Sequence, residues 1–406
     1  MQNHSSNNSF KPSSPLQVNE RLELIDILRA FALIGIFIVN IQFYVAKPND
    51  TIDIISWLIK IFFEGSFYPL FSILFGISFV ILLNRTEVNG KPNLRLFVRR
   101  LFILAIIASL QFIFLEPRHI LFRYTLLGIP LITFYSSSKK VLMWSIAIFF
   151  IISIFHNQIV YSLDNLRRHS TEAKNVFQLE VTEDDLKQET IKMEKNNLTE
   201  YSDYVINNSK QLIPQVINLT HHSSMPHIFA SFLFGIFIWR WEIFQRLHEF
   251  RPFLRSWLIF CGLFGLIGNI GAIILEWSGL AKAHPLETSI LQTIGDSLLA
   301  VCYISGIALV SLSAFWTKLI KLLIPAGRMG LTNYLLQSVI MSFVFLSYGL
   351  NLKDKLNILE CLVIVIMSTV VQIIFSTWWF QRFKYGPVEW VWRLLTYGRW
   401  LSIRNR

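Results

Sequence analysis

The chain is short of charge. Asp, Glu, Lys and Arg make up 16% of its 406 residues, where a soluble domain carries about 25%. That leaves too little polar surface for a soluble fold of this length. Cysteine is scarce: Cys261, Cys302 and Cys361 each lie inside an apolar run, and none has metal or disulfide spacing. Nucleotide loops are missing, with no Gly-Lys-Ser or Gly-Lys-Thr and no glycine-rich dinucleotide pattern after a strand. A Gly-x-Ser-x-Gly nucleophile elbow is missing too. The formal net charge of +11 does not point to nucleic acid, because no basic stretch interleaves with aromatics as in single-strand binders.

Apolar sequence fills the space. Hydrophobic residues reach 53%, mean hydropathy is +0.49, and the apolar runs recur at the length of membrane spans. Ten spans are predicted, at 24–45, 68–83, 96–115, 120–135, 141–161, 227–244, 254–275, 290–314, 329–348 and 356–379. A shorter apolar piece, 54–63, precedes the second. Lipid offers backbone groups no partner, so the spans should be helices and the protein an all-α integral membrane bundle. No small-residue cleavage site follows the first run, which therefore reads as an anchor.

Basic residues set a sidedness. Arg85, Lys91, Arg95, Arg99 and Arg100 fall in one short loop, which places that loop in the cytoplasm. Alternation then puts Lys139, Lys140, Arg240, Arg246, Arg251, Arg255, Lys318 and Lys321 on the same side, with both termini. The predicted organisation is a polar cytoplasmic N-terminus (1–23), a five-helix half (24–161), a polar extracytoplasmic loop (162–226), a second five-helix half (227–380) and a basic cytoplasmic tail (381–406). The loop carries Glu180, Glu183, Asp184, Asp185 and Glu189 and reads as surface helix or disorder. Gly35, Gly76, Gly128, Gly235, Gly306 and Gly330 read as close helix contacts.

Ionisable groups inside spans are functional candidates, because lipid makes them costly. At the cytoplasmic ends stand Asp26, Arg29, Arg99, Arg100 and Arg328. Asp26 and Arg29 are three apart on one helix face and can pair. The arginines either snorkel to lipid phosphates or form a cationic lid over a phosphorylated acyl donor such as acyl-coenzyme A. Toward the outer half stand Asn40, Gln111, His119, His227 and Asp296. Asp296 is the deepest charge, on the opposite side of the membrane from Arg328. A histidine can act as a general base or be merely solvated at a headgroup boundary. His221, His222 and His227 have no recognised metal spacing.

Two segments carry a family resemblance. One is Asp26-Ile-Leu-Arg-Ala-Phe-Ala-Leu-Ile-Gly-Ile-Phe-Ile-Val-Asn40 with Pro69-Leu-Phe-Ser-Ile-Leu-Phe-Gly76. The other is Pro325-Ala-Gly-Arg-Met-Gly-Leu-Thr-Asn-Tyr-Leu-Leu-Gln337 with Tyr385-Gly-Pro-Val-Glu-Trp-Val-Trp-Arg393. Together with the Arg99-Arg100-Leu-Phe stretch they closely resemble the YeiB-like bacterial membrane proteins that carry the domain of unknown function 418. That family is more distantly similar to transmembrane acyltransferases of the heparan acetyltransferase type and of acyltransferase family three, through the Asp-x-x-Arg start of the first helix.

The resemblance implies a bacterial cell-membrane protein that moves an acyl group from a cytoplasmic donor to a small-molecule or envelope-glycan acceptor outside. Arg29, Arg99, Arg100 and Arg328, with Asp26 and Asn333, would hold the donor. Asn40 and Gln111 would orient the reacting groups, with His119 or Asp296 as base. The position of the catalytic histidine of acyltransferase family three holds Asn40, and 41–60, the next loop, where the heparan type has its histidine, contains none. Two other readings stand beside transfer: a transporter or lipid-handling protein with Asp296 as a proton or cation site, and a non-catalytic structural or sensory membrane protein.

Overall fold

The structure is a computed structural model that describes residues 23–45, 54–87, 90–115, 120–169, 201–220, 224–313 and 318–404. Its elements are helices: α1 (Glu23–Ile41), α2 (Ile54–Phe62), α3 (Phe67–Arg85), α4 (Leu94–Phe114), α5 (Ile120–Leu131), α6 (Lys139–His169), α7 (Tyr201–Thr220), α8 (Ser224–Arg240), α9 (Arg251–Trp277), α10 (Pro285–Ser311), α11 (Leu323–Arg328), α12 (Gly330–Phe345), α13 (Ile358–Phe380) and α14 (Pro387–Tyr397). No strand occurs among the described residues.

Local chemistry sets the ends. At α13 an Asn357 side chain accepts from the Glu360 N–H (3.0 Å) while Glu360 accepts from the Asn357 N–H (2.8 Å), a reciprocal cap that satisfies two orphan donors. Pro387 opens α14, and Gly398 closes it at φ +65°, a left-handed conformation that favours glycine. Pro130 lies in the last turn of α5, and residues 132–134 tighten into a 3₁₀ turn.

Each of the ten predicted spans coincides with a helix. Among the described residues, seven helical stretches are long and apolar enough to cross a bilayer; α5 with its 3₁₀ turn, α8 and α12 are shorter. The outward faces are apolar: Ile259, Phe260, Leu263, Phe264 and Ile267 on α9, and Val363, Ile366, Met367, Val370 and Ile374 on α13. Apolar faces of this extent need lipid, and the protein is a helical integral membrane protein. The polar loop predicted from residue 162 contributes the end of α6 and all of α7. Helix α7 caps the end of α4, where Tyr201 donates to the Phe114 carbonyl (2.7 Å).

The core is built on α1, α3, α8 and α10. Helices α3 and α8 approach closely at glycines: a Cβ on Gly76 would stand 2.1 Å from the Phe232 carbonyl oxygen, and one on Gly235 would stand 2.1 Å from that of Ile73. Gly35 lies against the Phe67 ring and Gly128 against Leu101. Gly306 and Gly330 differ from expectation, with nearest neighbours at an ordinary 3.4 and 3.7 Å.

Candidate functional site

One end of the bundle gathers the starts of α1, α4 and α12 with the end of α3. Their short connections bring arginines together, and α14 lies across them. A cavity of about 300 Å³ opens there. Arg29, Arg85, Arg100, Arg328 and Arg393 line it, with Asp26 and Glu389 as carboxylates. Farther in, the walls turn apolar and aromatic through Leu74, Phe71, Phe75, Tyr124 and Tyr334. Along α3 the lining runs from Arg85 to Phe71, about 21 Å at 1.5 Å per residue, against a hydrocarbon core of about 30 Å.

Asp26 organises the mouth. It is 3% exposed and accepts from Arg29 Nη1 (2.9 Å) and Arg328 Nε (3.4 Å). Arg29 Nη2 also donates to Ser78 Oγ (2.6 Å), which ties α1 to α3. Arg100 stacks over the Trp392 ring at 4.0 Å, and Trp392 Nε1 donates to the Arg100 carbonyl (3.0 Å). Arg393 lies over Tyr385 at 4.9 Å. Two positive charges thus share one carboxylate, and Arg100 and Arg393 meet aromatic faces. The result is a cationic mouth suited to phosphate or carboxylate oxygens.

Glu389 reaches from α14 to the first turn of α12. It accepts from the N–H groups of Leu331 (2.7 Å) and Thr332 (3.0 Å), and from Thr332 Oγ1 (2.5 Å). It thereby serves as the side-chain cap that α12 lacks within its own sequence. Burial pushes its carboxyl above the usual range, opposed by these hydrogen bonds. Glu389→Ala is expected to cost about 1–2 kcal/mol, the upper range for lost caps. Thermal unfolding in detergent checks this, and an unchanged midpoint would contradict it.

The inner end of the cavity connects to a polar layer. Tyr124 OH stands 3.0 Å from Ser72 Oγ, which donates to the Tyr68 carbonyl (2.7 Å). Tyr68 OH donates to Asn40 Oδ1 (3.3 Å). Asn40 thus lies beyond the cavity wall, linked to Tyr124 through Ser72 and Tyr68. Gln111 donates to Ser338 Oγ (2.8 Å) between α4 and α12 and is not a lining residue. Arg99 lies against Gly398 at the end of α14, outside the cavity. Asn333 faces the opposite side of α12, donating to the Ala326 carbonyl and Ser376. His119, His221 and His222 fall outside the described residues.

Asp296 stands apart from the cavity. Asn269 Nδ2 donates to it (3.2 Å) and to the Ile61 carbonyl (3.0 Å). Gly65, at φ +84°, lies directly over the carboxyl. The carboxylate therefore anchors the elbow between α2 and α3, and Lys60 pairs with Glu276 on the same elbow. His227 Nε2 stands 2.7 Å from Ser297 Oγ, which itself donates to the Thr293 carbonyl, so the histidine is the donor. Asp296→Asn keeps the shape and an acceptor oxygen for Asn269. It should leave anion affinity at the cavity within about twofold, a factor worth under ~0.5 kcal/mol. Titration with inorganic pyrophosphate tests this, and a tenfold loss would show that Asp296 serves the cavity.

Sequence reasoning missed Ser78, Tyr124, Tyr334, Glu389, Trp392 and Arg393 as site residues. Glu389 to Arg393 sit in a motif that was visible, but a carboxylate there gives no sign that it caps a helix far away in sequence. Tyr124 carries no signal beyond being a polar-tipped aromatic in a short apolar run.

Fold and site define a class: a polytopic helical membrane protein with an arginine-lined cavity open at one end of the bundle. Residues 238–399 match the family described as "Protein of unknown function (DUF418)". The chain is 26% identical over 423 aligned positions to the uncharacterised protein YxaH of Bacillus subtilis (strain 168), covering 97% of this chain and 98% of that one. It is 24% identical to an uncharacterised 39.9 kDa protein in the amylase 3′ region of Bacillus acidopullulyticus, over 95% of this chain and 96% of that one. It is 34% identical to the uncharacterised YeiB of Escherichia coli (strain K12) over 154 residues, which is 36% of this chain and 38% of YeiB. No solved structure matches. The matched region supplies Arg328, Glu389, Trp392 and Arg393 to the cavity, while Asp26, Arg29, Arg85 and Arg100 come from the part of the chain before it.

Proposed function

We propose that this protein transfers an acyl group from a phosphate-bearing donor, held at the arginine end, to a hydroxyl-bearing acceptor at the other end of the bundle. The observation that carries the reading is the cavity itself. It joins a cationic mouth to an apolar channel that ends beside Tyr124, close to the layer of Tyr68 and Asn40. The arginine-rich loops support a mouth that faces the cytoplasm, where an acyl-coenzyme A thioester would be available. Arg29, Arg100, Arg328 and Arg393 bind the phosphates.

In the transfer the acceptor oxygen attacks the thioester carbonyl carbon and the carbon–sulfur bond breaks. The hydroxyl proton passes through a base to the departing thiolate, giving an ester and a free thiol. His119, which directly precedes the cavity-lining Ile120 in the chain, is the base in this reading. Asn40 orients the acceptor.

The test is incorporation of labelled acetyl groups into envelope material by cells that express the protein. Wild type labels the envelope, and Arg100→Gln with Arg328→Gln removes most of the label. Equal labelling by wild type, variant and empty cells would overturn the reading. The apolar wall also suits lipid handling, which predicts ligand binding at the same mouth with no transferred label.

A further inference from the structure

The side of α12 that faces away from the large cavity borders a much smaller one. Asn333 and Gln337 of α12, Thr369 and Gln372 of α13, and apolar residues of α1 such as Ala30 and Leu33 enclose about 10 Å³, roughly the space one water molecule needs. The amide hydrogens around it are committed. Asn333 Nδ2 donates to the Ala326 carbonyl (2.9 Å) and to Ser376 Oγ (3.1 Å). Gln337 Nε2 donates to Gln372 Oε1 (3.4 Å), and Gln372 Nε2 donates to the Asn333 carbonyl (3.4 Å). These bonds fix the amide orientations, since turning Asn333 over would set its oxygen against the Ala326 carbonyl.

Three oxygens of residues lining the niche meet no protein partner: Asn333 Oδ1, Gln337 Oε1 and Thr369 Oγ1. Asn333 and Gln337 are each 2% exposed. At membrane depth a buried carbonyl without a donor is costly.

We propose that this niche is a binding site for a single water molecule shared by α12 and α13. The hydrogen-bond inventory closes. Water donates one O–H to Asn333 Oδ1 and one to Gln337 Oε1, and it accepts from the Thr369 hydroxyl. Three bonds are the usual number for a buried water. A monovalent cation would find two amide oxygens and a hydroxyl but no carboxylate among the lining residues, which leaves its charge uncompensated.

The site has a structural consequence. Much of α13 faces lipid, and polar contacts hold such helices in place because lipid tails are as apolar as leucine. The water adds a tie at Thr369, about two turns from the Asn333–Ser376 bond. Asn333 is also the neighbour of Tyr334, which lines the large cavity, so the same water fixes the rotation of α12 that sets Tyr334.

A double-mutant cycle on the purified protein in lipid nanodiscs tests the proposal. Thr369→Val and Gln337→Leu each remove one partner of the shared water and should each lower the unfolding midpoint by a few degrees. The double variant should lose no more than the larger single loss. Thr369→Ser, which restores the hydroxyl, should recover the midpoint. Additive losses, or no loss in Thr369→Val, would overturn the shared site. If Gln337→Leu does not fold, high-resolution density decides. One peak about 2.7–3.2 Å from all three oxygens supports the water. An empty niche, an inverted Asn333 amide or a midpoint that rises with added sodium or potassium overturns it.

Discussion

Gly76→Val should abolish folded protein in the membrane. Helices α3 and α8 meet backbone to backbone at Gly76 and Gly235, and a Cβ at either position falls 2.1 Å from a carbonyl oxygen of the other helix. Nothing flexible can yield there, because the obstacle is main chain. The helices would have to separate by more than 1 Å, which dismantles the Phe75–Phe232 stacking at 4.6 Å and the Phe79–Phe232 core around it. Overpacking a tight core costs about 1–3 kcal/mol and more when the backbone cannot shift. In lipid, close packing of small residues is the chief attraction between helices. Fluorescence-detected size exclusion measures the outcome: Gly76→Val and Gly235→Val aggregate, whereas Gly306→Ala elutes like wild type because its neighbour stands at 3.4 Å. A monodisperse Gly76→Val would contradict the close-contact account.

The second large effect is on anion binding. Arg100→Gln and Arg328→Gln should each weaken binding of a phosphate-bearing ligand about tenfold or more, since a hydrogen bond to a charged group is worth about 1.5–3 kcal/mol. The pair should come close to abolishing it. Binding should also become less sensitive to salt as charges are removed. Arg29→Gln should do further damage, because Arg29 also holds Asp26 and Ser78. Arg246, on the surface with Glu249, is the control, and Arg246→Gln should bind as wild type does. Isothermal titration with inorganic pyrophosphate measures all five variants. Equal affinity across the set would remove the arginine mouth from the account.

Much of the architecture could be read in the sequence because the bilayer imposes it. A span must be apolar for its whole length, so each of the ten runs coincides with a helix, and helix ends follow Pro252, Pro285, Asn357 and Pro387. The Asp26–Arg29 pair was legible from its spacing alone. What the runs do not encode is which side of a helix meets which neighbour. Asp296 looks like a site residue on cost alone, yet its carboxyl lies under Gly65 and beside Asn269, holding an elbow. Asn333 stands in a cavity-forming motif but turns toward Ser376, while its neighbour Tyr334 enters the cavity. Glu389 needed the fold, because its partners Leu331 and Thr332 lie more than fifty residues earlier.

The central claim is that the arginine mouth holds the phosphates of an acyl donor. Equilibrium binding of radiolabelled acetyl-coenzyme A to the purified protein in lipid nanodiscs tests it most directly. The account predicts saturable binding that excess pyrophosphate displaces and that Arg100→Gln with Arg328→Gln weakens by at least tenfold. Binding no greater than to empty nanodiscs, or the same in wild type and the double variant, would contradict it.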